Sequence, residues 1–212
     1  TGVDHITISS HSPIVLATHP SMNVRTLAEF RAAVAAGGGN VLYGSSGNGS
    51  TGHISSALLL HLLGVPATHV PYRGSAAAFQ DLMAGRISFQ SDTISFLAEH
   101  IKNGTVNGIV IGTPERSPMA PDVPTAAEAG LPAFQATTWT PWSATLGTPL
   151  PIRQFLYEQI AIALRKPEVR DRLIQLGNTI PDGMTPEATR AFIAAELDKW
   201  VPIVRATGAR VD

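Results

Sequence analysis

The α/β character of this chain is clearest in residues 41–53, which read VLYGSSGNGSTGH. The apolar run Val41-Leu42-Tyr43 predicts a strand, and a helix is predicted from about Thr51 to Leu63, with Gly64 as its C-terminal stop. Between them lies a loop rich in glycine and hydroxyl side chains. The segment therefore predicts a strand, a tight loop and a helix in direct succession.

The same alternation continues on both sides of this segment. Helices are predicted from a capping box at Thr26 and Glu29, from Ser75 to Gly85, and over residues 93–102. Because a parallel neighbour needs a crossover of about a dozen or more residues, helices of this length predict parallel pairing within one compact α/β lobe. The further strands are predicted at residues 14–17, 68–70, 87–89 and 106–111.

The sequence changes character after residue 113. Residues 114–132 contain five prolines and predict a surface excursion. The rest of the chain predicts an extended segment over residues 136–146 and helices over 152–164, 167–176 and from Thr185 onward. Only residues 178–180 offer another strand to cover these helices, which indicates part of a second lobe whose other strands lie elsewhere.

Composition argues against several functional classes. The 212 residues carry 15 Lys and Arg against 16 Asp and Glu, a net charge of −1, which argues against a nucleic-acid partner. No uninterrupted apolar stretch reaches the roughly 20 residues that span a bilayer. There is no cysteine, and the seven histidines show no spacing typical of a metal site. We expect neither a metal nor a cofactor.

The loop of residues 45–52 supplies the chemistry of an anion site. Gly47 and Gly49 allow sharp turns, so that successive N–H groups can point the same way, and the following helix adds its unpaired N–H groups and the positive end of its dipole. Each hydrogen bond to a carboxylate contributes roughly 1.5–3 kcal/mol, so a few of them give useful affinity. Hydroxyl and amide side chains surround these donors, from Ser46, Asn48, Ser50 and Thr51.

Other interpretations of this loop stay open at the level of sequence. A Gly/Ser turn can simply connect a strand to a helix. The spacing Gly47-x-Gly49-x-x-Gly52 also matches the dinucleotide fingerprint, with Arg73 near the position of an NADP-selective arginine. No Asp or Glu ends that next strand, so an NADP-binding oxidoreductase domain is the alternative function and not the preferred one.

A hydrolase would have to link Ser46, His53 and Asp92. The nucleophile elbow needs glycine two residues after its serine, and Asn48 stands there. We therefore predict that the chain is not an enzyme. His53, one turn into the helix, is expected either to donate to the anion or to cap the loop.

Five segments occur in one order along the chain: GSSGNGS at 44–50, VPYRG at 70–74, DLMAG at 81–85, DVPTAAEAG at 122–130 and PEVR at 167–170. Together with Trp200 in the last helix, they resemble the tripartite tricarboxylate transporter substrate-binding proteins, the TctC or Bug-type receptors. Ser88, where that family commonly has an acid, and Pro141-Trp142 depart from its pattern.

The resemblance implies a periplasmic receptor of the type II periplasmic-binding-protein-like α/β class, with two α/β lobes around a cleft. Its ligand would be a di- or tricarboxylate or a related organic acid, and its partners the membrane subunits of a tripartite transporter. Residues 1–12 would be a remnant of lobe 1, residues 13–135 lobe 2, and residues 136–212 the return to lobe 1. The family's N-terminal strand and loop are absent here, so we expect an incomplete first lobe and self-association through its open face.

The candidate binding site lies where the loops after the strands meet, because open α/β sheets bind ligands at the carboxyl ends of their strands. Arg73 is expected either to face a second carboxylate or to be a solvated surface arginine. Asp92 is expected to orient water, a ligand hydroxyl or amine, or Arg73, and Trp139 to line the cleft or to fill the core. The full set is Ser46, Gly47, Asn48, Gly49, Ser50, Thr51, His53, Tyr72, Arg73, Gly74, Asp92, Thr93 and Trp139.

Overall fold

The computed structural model describes residues 2–207 of the chain, which form two compact units. Unit 1 comprises Thr1–Ser12 and Thr138–Val201, and unit 2 comprises Pro13–Thr137 together with the end of the chain from Pro202. Residues 202–207 group with unit 2, although they lie within the range predicted to return to lobe 1. Residue 1 and residues 208–212, which the predicted lobe ranges include, lie outside the described residues.

Unit 2 is built on a twisted sheet with the strand order β3-β2-β4-β1-β5. Of these strands, β1 (Val3–Thr18) begins in unit 1 and enters the sheet from Pro13 onward. The other four are β2 (Leu42–Ser45), β3 (Thr68–Pro71), β4 (Phe89–Thr93) and β5 (Asn107–Ile111). Tyr43 of β2 lies opposite both His69 and Phe89 in parallel register.

The prediction of parallel pairing is wrong for β1. Val15 lies opposite Asp92 of β4 and Ile111 of β5, and both pairings are antiparallel. The prediction assumed that strands consecutive in sequence are neighbours in the sheet. Instead, β1 lies between two strands that the chain reaches much later, so the crossover rule does not govern its direction.

Four helices connect these strands: α1 (Leu27–Gly37), α2 (Thr51–Leu63), α3 (Ser75–Met83) and α4 (Ile94–Lys102), with a short 3-10 helix at Pro20–Met22. The capping box is confirmed, because the Thr26 hydroxyl accepts from the Glu29 N–H at 3.2 Å and the Glu29 carboxylate accepts from the Thr26 N–H at 3.1 Å. Gly64 ends α2 with a φ of 65°, as predicted.

Two predicted boundaries are displaced. Ser75 does not cap α3, because Gly74 with a φ of 109° turns the chain one residue earlier and Ser75 becomes the first helical residue. The fourth strand runs to Thr93 instead of ending at residue 89. Its middle residues, Gln90 and Ser91, are polar yet fully buried, and an apolar pattern cannot reveal such positions.

Both faces of this sheet are covered. Val15 and Ala17 of β1 belong to a core cluster with Phe79 and Leu82 of α3 and with residues of α4. Because side chains alternate along a strand, Ile14 and Leu16 face the opposite side, and they are 1% and 0% exposed. On α1, Phe30 contacts Phe89 of β4 edge to face, with ring centroids 5.0 Å apart.

Unit 1 contains the first half of β1, which pairs with β6 (Thr137–Thr145), and three helices. These are α5 (Leu150–Arg165), α6 (Pro167–Gln175) and α7 (Pro186–Thr207), the last of which ends in unit 2. The strand predicted at residues 178–180 is a single bridge between Thr179 and His11. Within residues 2–207, no helix is long and apolar enough to cross a membrane.

Candidate functional site

Three helices of unit 2 begin at one edge of the sheet. β2, β3 and β4 run parallel, so their carboxyl ends lie together, and each leads directly into a helix. The residues that precede α2, α3 and α4 are Ser50, Gly74 and Thr93. Each helix N-terminus carries unpaired N–H groups and a partial positive charge, so this edge attracts anions.

The loop between β2 and α2, residues 46–52, is called the anion loop below. Its fold depends on Gly47 and Gly49, whose φ angles of 138° and 71° suit glycine and few other residues. Three of its N–H groups are satisfied within the loop region. Gly47 donates to the Ser45 hydroxyl at 3.2 Å, Gly49 to Nδ1 of His53 at 3.1 Å, and Ser50 to the Gly47 carbonyl at 3.2 Å.

The remaining donors of the anion loop are the groups available to a ligand. In the described part of the chain, the N–H groups of Ser46 and Asn48 have no hydrogen-bond partner. Those of Thr51 and Gly52 precede the first intrahelical bond, which Ile54 makes to Ser50 at 3.0 Å. Within the described chain, the N–H groups of residues 47, 49 and 50 are thus bound internally, and those of 46, 48, 51 and 52 have no internal partner.

His53 supports the anion loop from behind. His53 is only 4% exposed, and its Nδ1 accepts the Gly49 N–H, which is the contact expected of a residue that caps the loop. The imidazole of His69, on β3, lies flat against it with ring centroids 3.7 Å apart and an angle of 5° between the planes. Nε2 of His69 lies 2.7 Å from the hydroxyl of Ser45, which also binds the N–H and carbonyl of Gly47.

Both imidazoles favour the neutral form. Burial lowers the pKa of His53 below its usual value. Burial, together with the nearby His53, lowers the pKa of His69 to about 4. Burial also raises the pKa of the adjacent Tyr43 phenol to about 12. Since a neutral imidazole can accept a hydrogen bond at one nitrogen, these shifts agree with the bond that Gly49 makes to His53.

The second segment of this edge follows β3. The Tyr72 hydroxyl donates to the Asp81 carboxylate at 2.8 Å, and Arg86 pairs with the same carboxylate at 2.7 Å. Burial, then the bond to Asp81, raises the pKa of Tyr72 to about 12. Arg73 is exposed and makes no hydrogen bond or ion pair with any described residue. Gly74 provides the turn into α3, so Arg73 is the side chain of this segment that can bind an anion.

The third segment lies at the end of β4. Asp92 accepts from the Gln90 amide at 2.9 Å and from the Thr93 N–H at 2.8 Å. Within residues 2–207 it makes no bond to Arg73, so that expected partnership is not formed. The Thr93 hydroxyl accepts from Ser95 at 3.2 Å. The amide oxygen of Gln90 is buried with no partner among the described residues.

Trp139, the remaining predicted residue, belongs to unit 1. Its ring contacts Phe192 edge to face, with centroids 5.7 Å apart. This contact is typical of a packing role within that unit, which is one of the two roles expected for it.

Three residues of this region were not among the predicted ones. Ser45 and Gln90 are fully buried, and His69 completes the stack behind the anion loop. Their signal in the sequence is a polar residue within or directly after an apolar strand. That signal is weak, because polar residues at strand ends are common, and the contacts of His69 with Ser45 and His53 depend on β3 lying beside β2.

The geometry does not support the alternative chemistries. Ser46 is exposed, the Nδ1 of His53 is occupied by Gly49, and Asp92 binds Gln90, so these three form no catalytic triad. A Cβ at Gly52 would collide with the carbonyl oxygen of Ser91, which explains this glycine by packing of α2 on β4. Among residues 2–207, no group of three or more His, Asp or Glu side chains is placed to hold a metal ion.

Comparisons with known proteins give a consistent result. Residues 2–209 match the family described as "Tripartite tricarboxylate transporter family receptor". BugT of Bordetella pertussis is 34% identical over 199 residues, which are 94% of this chain and 61% of BugT. The chain therefore spans about three fifths of that relative's length.

Solved structures share the fold. MatC from Rhodopseudomonas palustris, solved with bound malate, is 33% identical with a TM-score of 0.82, and the match covers 95% of this chain and 69% of MatC. Another R. palustris protein, solved with adipate, is 28% identical with a TM-score of 0.84. That match covers 99% of this chain and 70% of the other protein's chain. The chain thus has the α/β fold of periplasmic binding proteins of this type.

Proposed function

Because this chain belongs to the family of tripartite tricarboxylate transporter receptors, we propose that it captures a small organic acid by its carboxylate group. The ligand would be a di- or tricarboxylate or a related acid, held in the periplasm for the membrane subunits of such a transporter. The family consists of receptors and not of enzymes. The proposal is therefore one of binding and release without chemical change.

One observation carries this proposal: the free N–H groups of the anion loop lie at an edge where three helices begin. The donors of Ser46, Asn48, Thr51 and Gly52 have no internal partner among the described residues and suit the oxygens of a single carboxylate. A carboxylate bound this way needs no ion pair, because backbone N–H groups and helix dipoles stabilise its charge.

Arg73 supports a ligand with two carboxylates. It follows β3 at the same edge, it is exposed, and no described residue pairs with it. Malate and adipate, the acids bound by two similar proteins of known structure, each carry two carboxylates. In our proposal the anion loop holds one carboxylate and Arg73 attracts the other. Asp92, already bound to Gln90 and Thr93, remains outside direct contact with a carboxylate because the two charges would repel.

The alternative, an NADP-binding oxidoreductase domain, has less support. No acid follows β3 to hold a ribose, and the third glycine of the pattern is explained by the contact of α2 with Ser91. Family membership also favours the receptor.

The test replaces Gly49 with valine and measures thermal stabilisation by malate and by adipate. With a φ of 71°, Gly49 has a backbone conformation that a β-branched residue rarely adopts, while no atom lies within 4 Å of its Cβ position. A ligand at 100 times its dissociation constant stabilises a protein by about 2.7 kcal/mol. We expect the wild type to show such stabilisation and Gly49→Val to lose it.

The matched control is Gly39→Val, since Gly39 has a φ of 88° and equally open space, before β2 instead of after it. This variant should lose a similar amount of intrinsic stability and keep its response to the acids. The acid recovered after long incubation should be chemically unchanged. Stabilisation by NADP alone, or an unaltered response in a folded Gly49→Val protein, would contradict the proposal.

A further inference from the structure

The anion loop is held at each of its two turning glycines by the histidine stack behind it. Gly49 donates its N–H to Nδ1 of His53 at 3.1 Å, and no atom lies within 4 Å of its Cβ position to hold that turn by packing. Gly47 is held through Ser45, whose hydroxyl contacts Nε2 of His69 at 2.7 Å. One stacked pair of imidazoles therefore connects to both turns of the loop.

This arrangement decides which N–H groups remain for a ligand. If the Gly49 N–H did not turn toward His53, the Asn48–Gly49 peptide group would lose its hydrogen bond, and the turn would depend on the bond of the Ser50 N–H to the Gly47 carbonyl. The N–H of Asn48 would then be less firmly fixed relative to the start of α2. A loop ordered before the ligand arrives binds more tightly, because ordering is not repeated on binding.

We infer that His53, supported by the stacked His69, is a positioning residue that presets the anion loop for a carboxylate, and that it does so only as a neutral imidazole accepting the Gly49 N–H. This inference rests on the proposed function for its ligand. It extends that function by assigning control over the affinity to His53, a buried side chain behind the anion loop.

The surroundings of the pair determine the direction of its response to pH. Protonation of Nδ1 would replace an acceptor by a donor opposite the Gly49 N–H. The titratable groups around the pair are the phenol of Tyr43 on β2 and, across a cavity of about 410 Å³, the imidazole of His61 on α2. The apolar residues Ile203 and Ala206 of α7 also line this cavity. No carboxylate lines the described cavity to stabilise an imidazolium, so acid should release the loop.

The experiment uses two amides that place their oxygen differently. In His53→Asn the amide oxygen can occupy the position of Nδ1 and accept the Gly49 N–H without titrating, whereas in His53→Gln the amide reaches the position of Nε2. His61→Asn, at an exposed histidine on the same helix, is the control. Malate affinity is measured over a pH series from about 8 to about 4.5, and exchange of the Gly49 amide proton is measured by NMR in the ligand-free chain.

At neutral pH we expect His53→Gln to lose about tenfold in malate affinity and to show faster Gly49 exchange, since one hydrogen bond is lost. His53→Asn keeps an acceptor for the Gly49 N–H, so its malate affinity should stay within about threefold of the wild type. On acidification the ratio of wild-type to His53→Asn affinity should fall, and malate's own titration cancels in that ratio. His61→Asn should follow the wild type.

Two results would overturn the inference: equal affinities for His53→Asn and His53→Gln, or Gly49 exchange that is the same in His53→Gln as in the wild type. Failure of the proposed function looks different. In that case the wild type binds neither malate nor adipate at any pH, and the exchange of Gly49 still decides whether His53 positions the loop.

Discussion

The helices of the two units differ in how much of their surface they bury. In unit 2, α2 buries eight residues, from Gly52 to Leu63, whereas α5 and α6 of unit 1 bury none. The sheet of unit 2 has helices on both faces, so its apolar residues are enclosed by the unit itself. Unit 1 has more helix than strand among its described residues, and two strands cannot cover three helices. Whether the apolar face of a helix is buried therefore depends on how much sheet the unit offers to cover it, and not on the apolar content of the helix alone.

The exposed apolar side chains show the same contrast. Phe30 of α1 is fully buried, whereas Phe155 of α5 is 58% exposed. Ile152, Phe155 and Ile162 recur at helical spacing, so they share one face of α5. Among the described residues, the large apolar side chains that are exposed belong to unit 1, apart from Met83: Val3, Trp142, Leu146, Leu150, Ile152, Phe155, Ile162, Ile174, Leu176, Leu197 and Val201.

The largest effect that we predict is self-association of the 212-residue chain through this apolar face of α5. Exposed apolar patches larger than a few hundred Å² are rare on monomers, because at about 25 cal/mol per Å² they favour burial against a partner. Light scattering should give at least twice the mass of one chain at high concentration. Phe155→Glu should lower that mass, and Met83→Glu, at an exposed apolar residue of unit 2, should not. A monomer that persists at high concentration would contradict this prediction.

The next prediction compares two phenylalanines under conditions in which the chain is monomeric. Phe30→Ala removes a buried ring from the contact with Phe89 and should lower the free energy of unfolding by about 3–5 kcal/mol. Phe155→Ala should change it by less than about 0.5 kcal/mol, as is usual for surface positions. Denaturation followed by circular dichroism measures both. A large cost for Phe155→Ala in the monomer would mean that its face is covered in solution.

Much of unit 2 was predictable because its signals are local. The capping box of Thr26 and Glu29 and the glycine after α2 act within a few residues of where they stand. The direction of β1 was not predictable in this way, since its sheet neighbours, β4 and β5, follow it by more than seventy residues. The extent of β4 was missed because it buries the polar side chains of Gln90 and Ser91.

The candidate site likewise has a part with local sequence signals and a part that depends on contacts between distant residues. The glycines and hydroxyls of the anion loop are contiguous in sequence, so the loop itself was predicted. The stack of His53 on His69 depends on β3 lying beside β2, and the bond of Gln90 to Asp92 depends on which side chains of β4 face inward. The residues proposed to bind a carboxylate can thus be found from sequence, while those that hold the loop in place need the fold.

The smallest predicted effect concerns the acid stability of unit 2, which should depend on His69. Burial and the nearby His53 hold the pKa of His69 at about 4 in the folded chain, against 6.5 in an unfolded one. Between these values the unfolded chain binds more protons, so stability is fully present above about pH 6.5, falls as the pH drops and levels off below about pH 4.

At about 1.4 kcal/mol per pKa unit, the whole shift of His69 would correspond to roughly 3 kcal/mol. Since the ring is partly accessible, we expect about 1–2 kcal/mol after allowing for solvent screening. His69→Gln can keep an amide near the Ser45 hydroxyl and does not titrate. Between about pH 6.5 and pH 4, its free energy of unfolding should therefore fall by about 1–2 kcal/mol less than that of the wild type. His61→Gln, at an exposed histidine, should retain the wild-type profile.

Unfolding of unit 2 is best followed by circular dichroism. Tryptophan fluorescence would report on unit 1, because all three tryptophans lie there. Identical pH profiles for wild type and His69→Gln would show that the stack is equally stable when protonated.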